Sequence, residues 1–278
     1  MEKNMNYFLV LGLFFLSVFS CHMVSYELNE DIVFSNGPNW TLSMDIAVPK
    51  TKGLHPVIVY FYGSGFYPRD RKENFPIIPE YINHGYAIAF VSYRGIPEFQ
   101  FPAPVYDAKA AIRWIRSHAA EYGINPNLIV AQGFSSGAYL ALMLAITDSK
   151  DNFEGDNQKQ NIDSSVKAAI CHSAPTDFTL APNDNVHSLF LGGSVKEKPE
   201  VWKMASPINY IDSKDVPILY LAGTNDHIVI PYHWIILNER MHSVGKPLSL
   251  VVRSNNEHER YISEECWIFL EKVFMEMN

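Results

Sequence analysis

In Ile129-Val130-Ala131-Gln132-Gly133-Phe134-Ser135-Ser136-Gly137-Ala138, an apolar run beginning at Leu128 leads into a glycine, and a serine then sits between two glycines in the pattern G-x-S-x-G. A helix-like segment, Ala138 to Thr147, follows at once. Strand, sharp turn and helix are the context of a nucleophile elbow, in which a serine oxygen is held at the tip of a tight turn in strained backbone geometry. Residues two before and two after such a serine must be small, since side chains there would collide across the turn. Gly133 and Gly137 meet that need. The helix that starts here would also aim free backbone N–H groups at an oxyanion. The same letters fit a plain structural turn, because glycine and serine are common turn residues. The rest of the chain has to decide.

Composition narrows the field. Of 278 residues, 47% are apolar, enough for a sizeable core, and a chain of this length can be one α/β domain. The formal net charge of -8 and the lack of any lysine- or arginine-rich run argue against a nucleic-acid partner, which needs a basic surface. The first twenty residues read as an export signal: Lys3, then an apolar run from Tyr7 to Phe19, too short for a comfortable membrane span. Ser17-Val18-Phe19-Ser20-Cys21 resembles a bacterial lipoprotein processing site, although Phe19 fits that pattern poorly. On that reading Cys21 is the acylated mature N-terminus and the only tie to a membrane; on the alternative, ordinary cleavage near Ser20 releases the protein. Either way the expected place is outside the cytoplasm: periplasm, outer membrane or medium. Cys171 and Cys266 remain, either paired or, in their apolar surroundings, as two buried thiols. No His/Cys spacing suggests a metal site.

From Tyr26 on, strands and helices alternate. Tyr26 to Phe34 and Leu42 to Val48 read as strands joined through Ser35-Asn36-Gly37-Pro38. His55 to Phe61 is a continuous apolar strand of the kind covered on both faces, ending in Tyr62-Gly63-Ser64-Gly65-Phe66. A glycine-rich loop after a buried strand can bring N–H groups close to a ligand. Ile77 to His84 predicts a short helix, Tyr86 to Tyr93 a strand, and Ala103 to Tyr122 a long amphipathic helix closed by Gly123. Asp107, near the start of that helix, reads as structural. Strands follow at Val166 to Ile170, Pro217 to Ala222 and Leu248 to Val252, and a closing helix at Glu264 to Met277. The alternation predicts a mostly parallel sheet with helices on both faces, in one domain over residues 26–278.

Ser135 would need a base, and the base a carboxylate to hold its tautomer. In an open parallel sheet, ligands bind beyond the carboxyl ends of the strands. Asp226 follows one late strand and His258 the last one, and Ser…Asp…His is the chain order of this hydrolase architecture. Asp177, Asp215, His172, His227 and His242 compete less well: Asp177 comes early, Asp215 precedes its strand, His172 reads as core or pocket, His227 as rim, and His242 as part of a helix. Standing alone, Asp226 would be a turn aspartate and His258 a surface histidine among charges.

The chain resembles the α/β-hydrolase superfamily and, within it, the BD-FAE-like bacterial esterases, related to acetyl- and feruloyl-esterases and hormone-sensitive-lipase-like enzymes. The likeness runs from about Tyr26 onward. It rests on the Tyr62–Phe66 loop, Phe101-Pro102-Ala103 with Asp107, Ala110-Ala111-Ile112-Arg113-Trp114, Gly123-Ile124-Asn125-Pro126 and the Ser135 motif. Phe153-Glu154-Gly155-Asp156, Ala174-Pro175-Thr176-Asp177, Ser206-Pro207-Ile208, Gly223-Thr224-Asn225-Asp226 and His258 complete it. The resemblance implies a serine ester hydrolase with Ser135, His258 and Asp226 as its triad. Its oxyanion hole would be built from the N–H groups of Ser136 and of Gly63, Ser64 and Gly65. It implies no metal or organic cofactor, and as substrate a small-molecule or glycan ester. Two departures stand out. The family loop usually reads H-G-G-G-[FW], and here Tyr62 and Ser64 interrupt it; after the nucleophile the family usually has A-G-G-H, and here Ser136-Gly137-Ala138-Tyr139 stands. Tyr62, Phe66, Phe134 and Tyr139 are then the expected pocket aromatics, suiting a small acyl group or a planar one stacked on rings. An amidase, peptidase or formamidase on the same fold, and a catalytically silent binding protein, remain as rivals.

Overall fold

The computed structural model describes residues 24–155, 162–180 and 185–275. The expected export segment, Cys21 and Asp156 lie outside the described residues. Among the described residues eight strands form one sheet: β1 (Tyr26–Gly37), β2 (Trp40–Pro49), β3 (His55–Phe61), β4 (Ala87–Val91), β5 (Ile124–Phe134), β6 (Ala168–His172), β7 (Ile218–Gly223) and β8 (Ser249–Arg253). Their order is β1-β2-β4-β3-β5-β6-β7-β8. The hairpin β1–β2 and the β2–β4 pair are antiparallel, and every pairing from β4 to β8 is parallel. This is the mostly parallel sheet the alternation predicted, in the arrangement the α/β-hydrolase resemblance implied.

Every residue of β4, β6 and β7 is buried. Successive side chains point to opposite faces of a sheet, so a strand buried at every position is covered on both. The cover comes from α1 (Ile78–Asn83), α2 (Ala103–His118), α3 (Ser136–Ile146), α4 (Asn185–Leu191), α5 (Pro199–Ala205), α6 (Tyr232–Ser243) and α7 (Glu264–Met275). α3 is apolar all round and wholly buried, packing on β5, β6 and β3. Among the described residues no helix is long and apolar enough to cross a membrane. Cys171 on β6 and Cys266 on α7 are both buried free thiols.

Two boundaries lie four residues from the sequence reading. α2 stops at His118, four residues short of Tyr122, and the chain closes through the Ile124 N–H to the Ala119 carbonyl (2.8 Å), with Gly123 at φ +62°. β5 starts at Ile124 rather than Leu128. It pairs with His55 there, skips, and resumes at Ile129 against Val57, so an irregularity around Pro126 absorbs the extra residues.

Asp107 is structural, but its partner is a side chain rather than the helix end alone. It is 2% exposed and accepts the Arg94 backbone N–H (2.8 Å) and the Arg94 guanidinium (2.7–3.0 Å). Arg94 in turn lies over the Trp40 ring at 4.2 Å, so the pair ties α2 to the segment after β4 and to the β1–β2 hairpin. Removing one member strands the other in low dielectric. Asp107→Ala is therefore expected to lower the unfolding free energy by about 3 kcal/mol, read from urea denaturation. A loss below about 0.5 kcal/mol would mean that the pair is no better than a surface contact.

Candidate active site

Ser135 stands at the junction of β5 and α3 with φ +53° and ψ -119°. A non-glycine residue adopts such a conformation only where its surroundings over-determine it. Here the Ser135 N–H donates to the His172 carbonyl of β6 (2.8 Å), and its carbonyl accepts the Tyr139 N–H (3.0 Å). The flanking glycines are both required, for different reasons. A Cβ on Gly133 would fall 2.3 Å from the Gly137 backbone, the collision across the turn that the motif implied. A Cβ on Gly137 would instead fall 2.1 Å from the Phe61 carbonyl oxygen, so Gly137 lets α3 come up against the end of β3.

That approach brings the loop after β3 onto the elbow. A Cβ on Gly63 would lie 2.6 Å from the Phe134 carbonyl oxygen and 3.0 Å from the Ser135 Cβ. Gly65 turns the loop with φ +61°. Of the four expected oxyanion donors, Gly63, Ser64, Gly65 and Ser136 all border the same cavity as Ser135. The Ser64 N–H, however, donates to the Ser136 Oγ at 3.0 Å.

Asp226 and His258 come from the loops after β7 and β8, which are pressed together. The Asn225 N–H donates to the Asn256 carbonyl (2.9 Å), and a Cβ on Gly223 would meet that carbonyl oxygen at 2.2 Å. Asp226 is 2% exposed. Its Oδ1 accepts the N–H groups of Ile228 (2.9 Å) and Val229 (2.8 Å), and its Oδ2 lies 2.7 Å from the His258 Nδ1. Burial pushes this carboxyl upward, but His258 and the Val229 N–H outweigh it and hold the pKa below the usual carboxylate value. An ionised carboxylate can only accept, so the His258 proton sits on Nδ1 and the Nε2 lone pair is left free to take another. The His258 ring leans on Phe134, centroids 4.7 Å apart. Two residues on, Arg260 donates to the Tyr60 hydroxyl (3.0 Å) and to the Asn74 side-chain oxygen, anchoring the histidine loop to the β3 side of the sheet.

Ser135, His258 and the Gly63–Gly65 loop open on one cavity of about 330 Å³. Phe66 and Phe134 line it. Tyr62 and Tyr139 do not, which corrects the expectation that they are pocket residues. Tyr62 is 3% exposed, stacked on Tyr93 at 4.6 Å, and its hydroxyl accepts the Arg69 N–H. Tyr139 is fully buried beneath the wall, edge-on to Phe66 and Phe178. Each ring is turned into the core because the strand end and the helix face carrying it point inward.

The structure adds walls that the sequence did not announce: Val186 and His187 from α4, Ile228 and Val229 beside Asp226, and His233 from α6. His233 is nearly fully buried, and its Nδ1 accepts the Thr176 N–H at 3.2 Å. A backbone N–H only donates, so the His233 proton is on Nε2, and burial pulls the pKa down to about 4.

The rival residues lie elsewhere. Asp177 accepts from the Thr179 N–H (2.8 Å) in a local turn. Asp215 precedes β7, at the opposite end of that strand from Asp226, and burial lifts its pKa to about 7. His172 is buried in the sheet, its pKa drawn down to about 3 by burial first and by Arg260 and Arg253 after it. His227 and His242 are exposed. Among the described residues one acidic trio, Glu30, Asp31 and Asp45, is close enough to hold a cation. Arg71 and Lys72 already occupy that role, at 2.5–3.0 Å from all three.

The family model described as BD-FAE matches residues 44–241. The chain belongs to the BD-FAE family. It is 28% identical over 183 residues to the esterase LipQ of Mycobacterium tuberculosis, an alignment covering 63% of this chain and 42% of LipQ. The chain thus spans less than half the length of that relative. Among solved structures it is similar to a truncated carbohydrate esterase from gut microbiota: TM-score 0.82, 25% identity, 91% of this chain and 98% of the other. A thermophilic esterase of Thermogutta terrifontis shares the fold, with TM-score 0.71 and 24% identity over 92% of this chain and 90% of the other. For this BD-FAE member the buried histidines carry a pH signature. His172 and His233 stay neutral in the fold down to about pH 3 and 4, whereas an unfolded histidine gains its proton near 6.5. The unfolded chain therefore binds more protons between those values, and stability present above pH 6.5 is lost as pH falls toward 4. The expected slope is about 1.4 kcal/mol per pH unit for each histidine. In urea melts from pH 7 to 4.5, His233→Gln should shrink the wild-type slope by that amount; an unchanged slope would mean that His233 is protonated in the fold.

Proposed function

We propose that this protein is a serine carboxylic-ester hydrolase working through an acyl-enzyme. One observation carries the reading: a single cavity holds a serine in strained backbone at a strand-to-helix tip together with an imidazole hydrogen-bonded at 2.7 Å to a buried carboxylate. In this reading the Ser135 Oγ attacks the ester carbonyl carbon while the His258 Nε2 takes its proton. Asp226 fixes the tautomer and stabilises the imidazolium as it forms. The N–H groups of Ser136, Gly63 and Gly65 receive the developing oxyanion, where a single donor is worth about 3 kcal/mol. His258 then returns the proton to the departing alcohol, and water releases the acyl group by the same steps.

The substrate we infer is an ester of a short or planar aromatic acid, carried by a glycan or a small alcohol. Phe66 and Phe134 as cavity walls support a compact or stackable acyl group. The similarity to a carbohydrate esterase supports the glycan. The export signal read in the first twenty residues supports action outside the cytoplasm, with Cys21 as a membrane anchor if it is acylated.

The test is a p-nitrophenyl ester series, acetate to octanoate, on the protein lacking residues up to Ser20. Turnover is expected to be fastest for the short acids, to fall at least a thousandfold in Ser135→Ala, and to fall by about 10⁴ in Asp226→Asn. Retained turnover in Ser135→Ala would sink the assignment. A fluorophosphonate probe that fails to label Ser135 would favour the silent binding protein.

A further inference from the structure

Ser64 and Ser136 stand where the family pattern has glycine and alanine, and in this structure they meet. The Ser64 N–H donates to the Ser136 Oγ at 3.0 Å. The Tyr93 hydroxyl lies beside both side chains, 3.2 Å from the Ser136 Oγ and 3.2 Å from the Ser64 Oγ. It donates to the Tyr62 carbonyl at 2.9 Å.

The proton directions have one consistent solution. Carbonyl oxygens only accept. The Tyr93 proton therefore goes to the Tyr62 carbonyl, and the Ser64 hydroxyl proton to the Tyr67 carbonyl. The Ser136 oxygen takes the Ser64 N–H, and its own proton is left for the Tyr93 oxygen. The result is a directed chain, Ser64 N–H to Ser136 to Tyr93 to the Tyr62 carbonyl. It closes around the tripeptide Tyr62-Gly63-Ser64 and grips it at both ends. Tyr62, Tyr93 and Ser136 are each 3% exposed or less, so the Ser136 to Tyr93 to Tyr62 part of the chain is shielded from water.

We infer that the Ser136 hydroxyl is a positioning residue: with Tyr93 it clamps the glycine loop against the nucleophile elbow, and it takes the Ser64 N–H out of the oxyanion hole. The oxyanion is then met by the Ser136 N–H and by the N–H groups of the glycines on either side of Ser64. This inference rests on the esterase reading. It also gives the family departures a common cause. Alanine at 136 could not form the clamp, and serine at 64 adds a hydroxyl that holds the same loop through the Tyr67 carbonyl. Tyr62, where the family has histidine, stacks its ring on Tyr93 and fixes the phenol that completes it.

Ser136→Ala keeps the backbone N–H at 136 and removes only the hydroxyl. Two measurements on the same preparation test the clamp: amide hydrogen exchange of the segment 62–67 by mass spectrometry, and p-nitrophenyl acetate kinetics. Exchange in that segment is expected to speed at least tenfold. The kcat is expected to fall about tenfold with KM within twofold, since what is lost acts on the transition state. Tyr93→Phe, which keeps the ring stack, should act in the same direction. The double variant should lose much less than the product of the two single losses, because both break one chain. A role in packing alone would leave segment 62–67 protected and make the losses multiply. Unchanged exchange in Ser136→Ala would overturn the clamp. So would an unchanged or raised kcat, since the hydroxyl would then merely compete for the Ser64 N–H. If the wild-type protein turns over no ester, the esterase reading fails, and the exchange result alone decides whether the clamp exists.

Discussion

The site depends on backbones touching without side chains between them. The approach of Gly137 to the Phe61 carbonyl leaves no room for a single carbon atom, and the same is true of Gly133 against Gly137, Gly63 against Phe134 and Gly223 against Asn256. Each contact joins two strand ends, or a strand end to the helix or loop beside it, at the carboxyl edge of the sheet. Together they draw the loops after β3, β5, β7 and β8 to one point. Ser135 is held in its unfavourable conformation by this convergence, because relaxing it would pull α3 away from β3 and break the bond to His172.

Polarity around that point is rationed. The cavity is walled largely by Phe66, Phe134, Val186 and Ile228, and Asp226 stands buried behind His258. Asp226 remains ionised because two backbone N–H groups and an imidazole satisfy it, not because water does. His233 shows the opposite solution: with a backbone N–H on Nδ1 it stays neutral and offers a donor at an unchanging protonation state. The two groups lie on successive elements, Asp226 just after β7 and His233 in the first turn of α6.

Much of this could be read from the chain alone, and the reasons are local. The doubly covered strands announced themselves because both faces need apolar residues. The strand ends then fixed where Ser135, Asp226 and His258 had to emerge. What could not be read depends on distant placement. Seven-residue α4 is too short for a helical period to stand out, yet it supplies Val186 and His187 to the cavity wall. Tyr62 and Tyr139 carry the same letters whether they face a ligand or a core, and only the packing of Tyr93, Phe66 and Phe178 sends them inward. The start of β5 was hidden by Pro126, which reads as a break but sits in an irregularity that the partner strand accommodates.

Arg260 gives the order in which such a site is completed. It ties the loop bearing His258 to Tyr60 and Asn74, on the far side of the elbow from the edge strand β8. During synthesis the strained serine emerges first and the buried acid next, with the imidazole after both. On the roles proposed above, a chain halted before that loop carries a nucleophile with no base. Hydrolytic competence then arrives in a single late step, when the last strand docks and Arg260 reaches across. On those same roles, a half-made molecule has no base with which to turn over an ester.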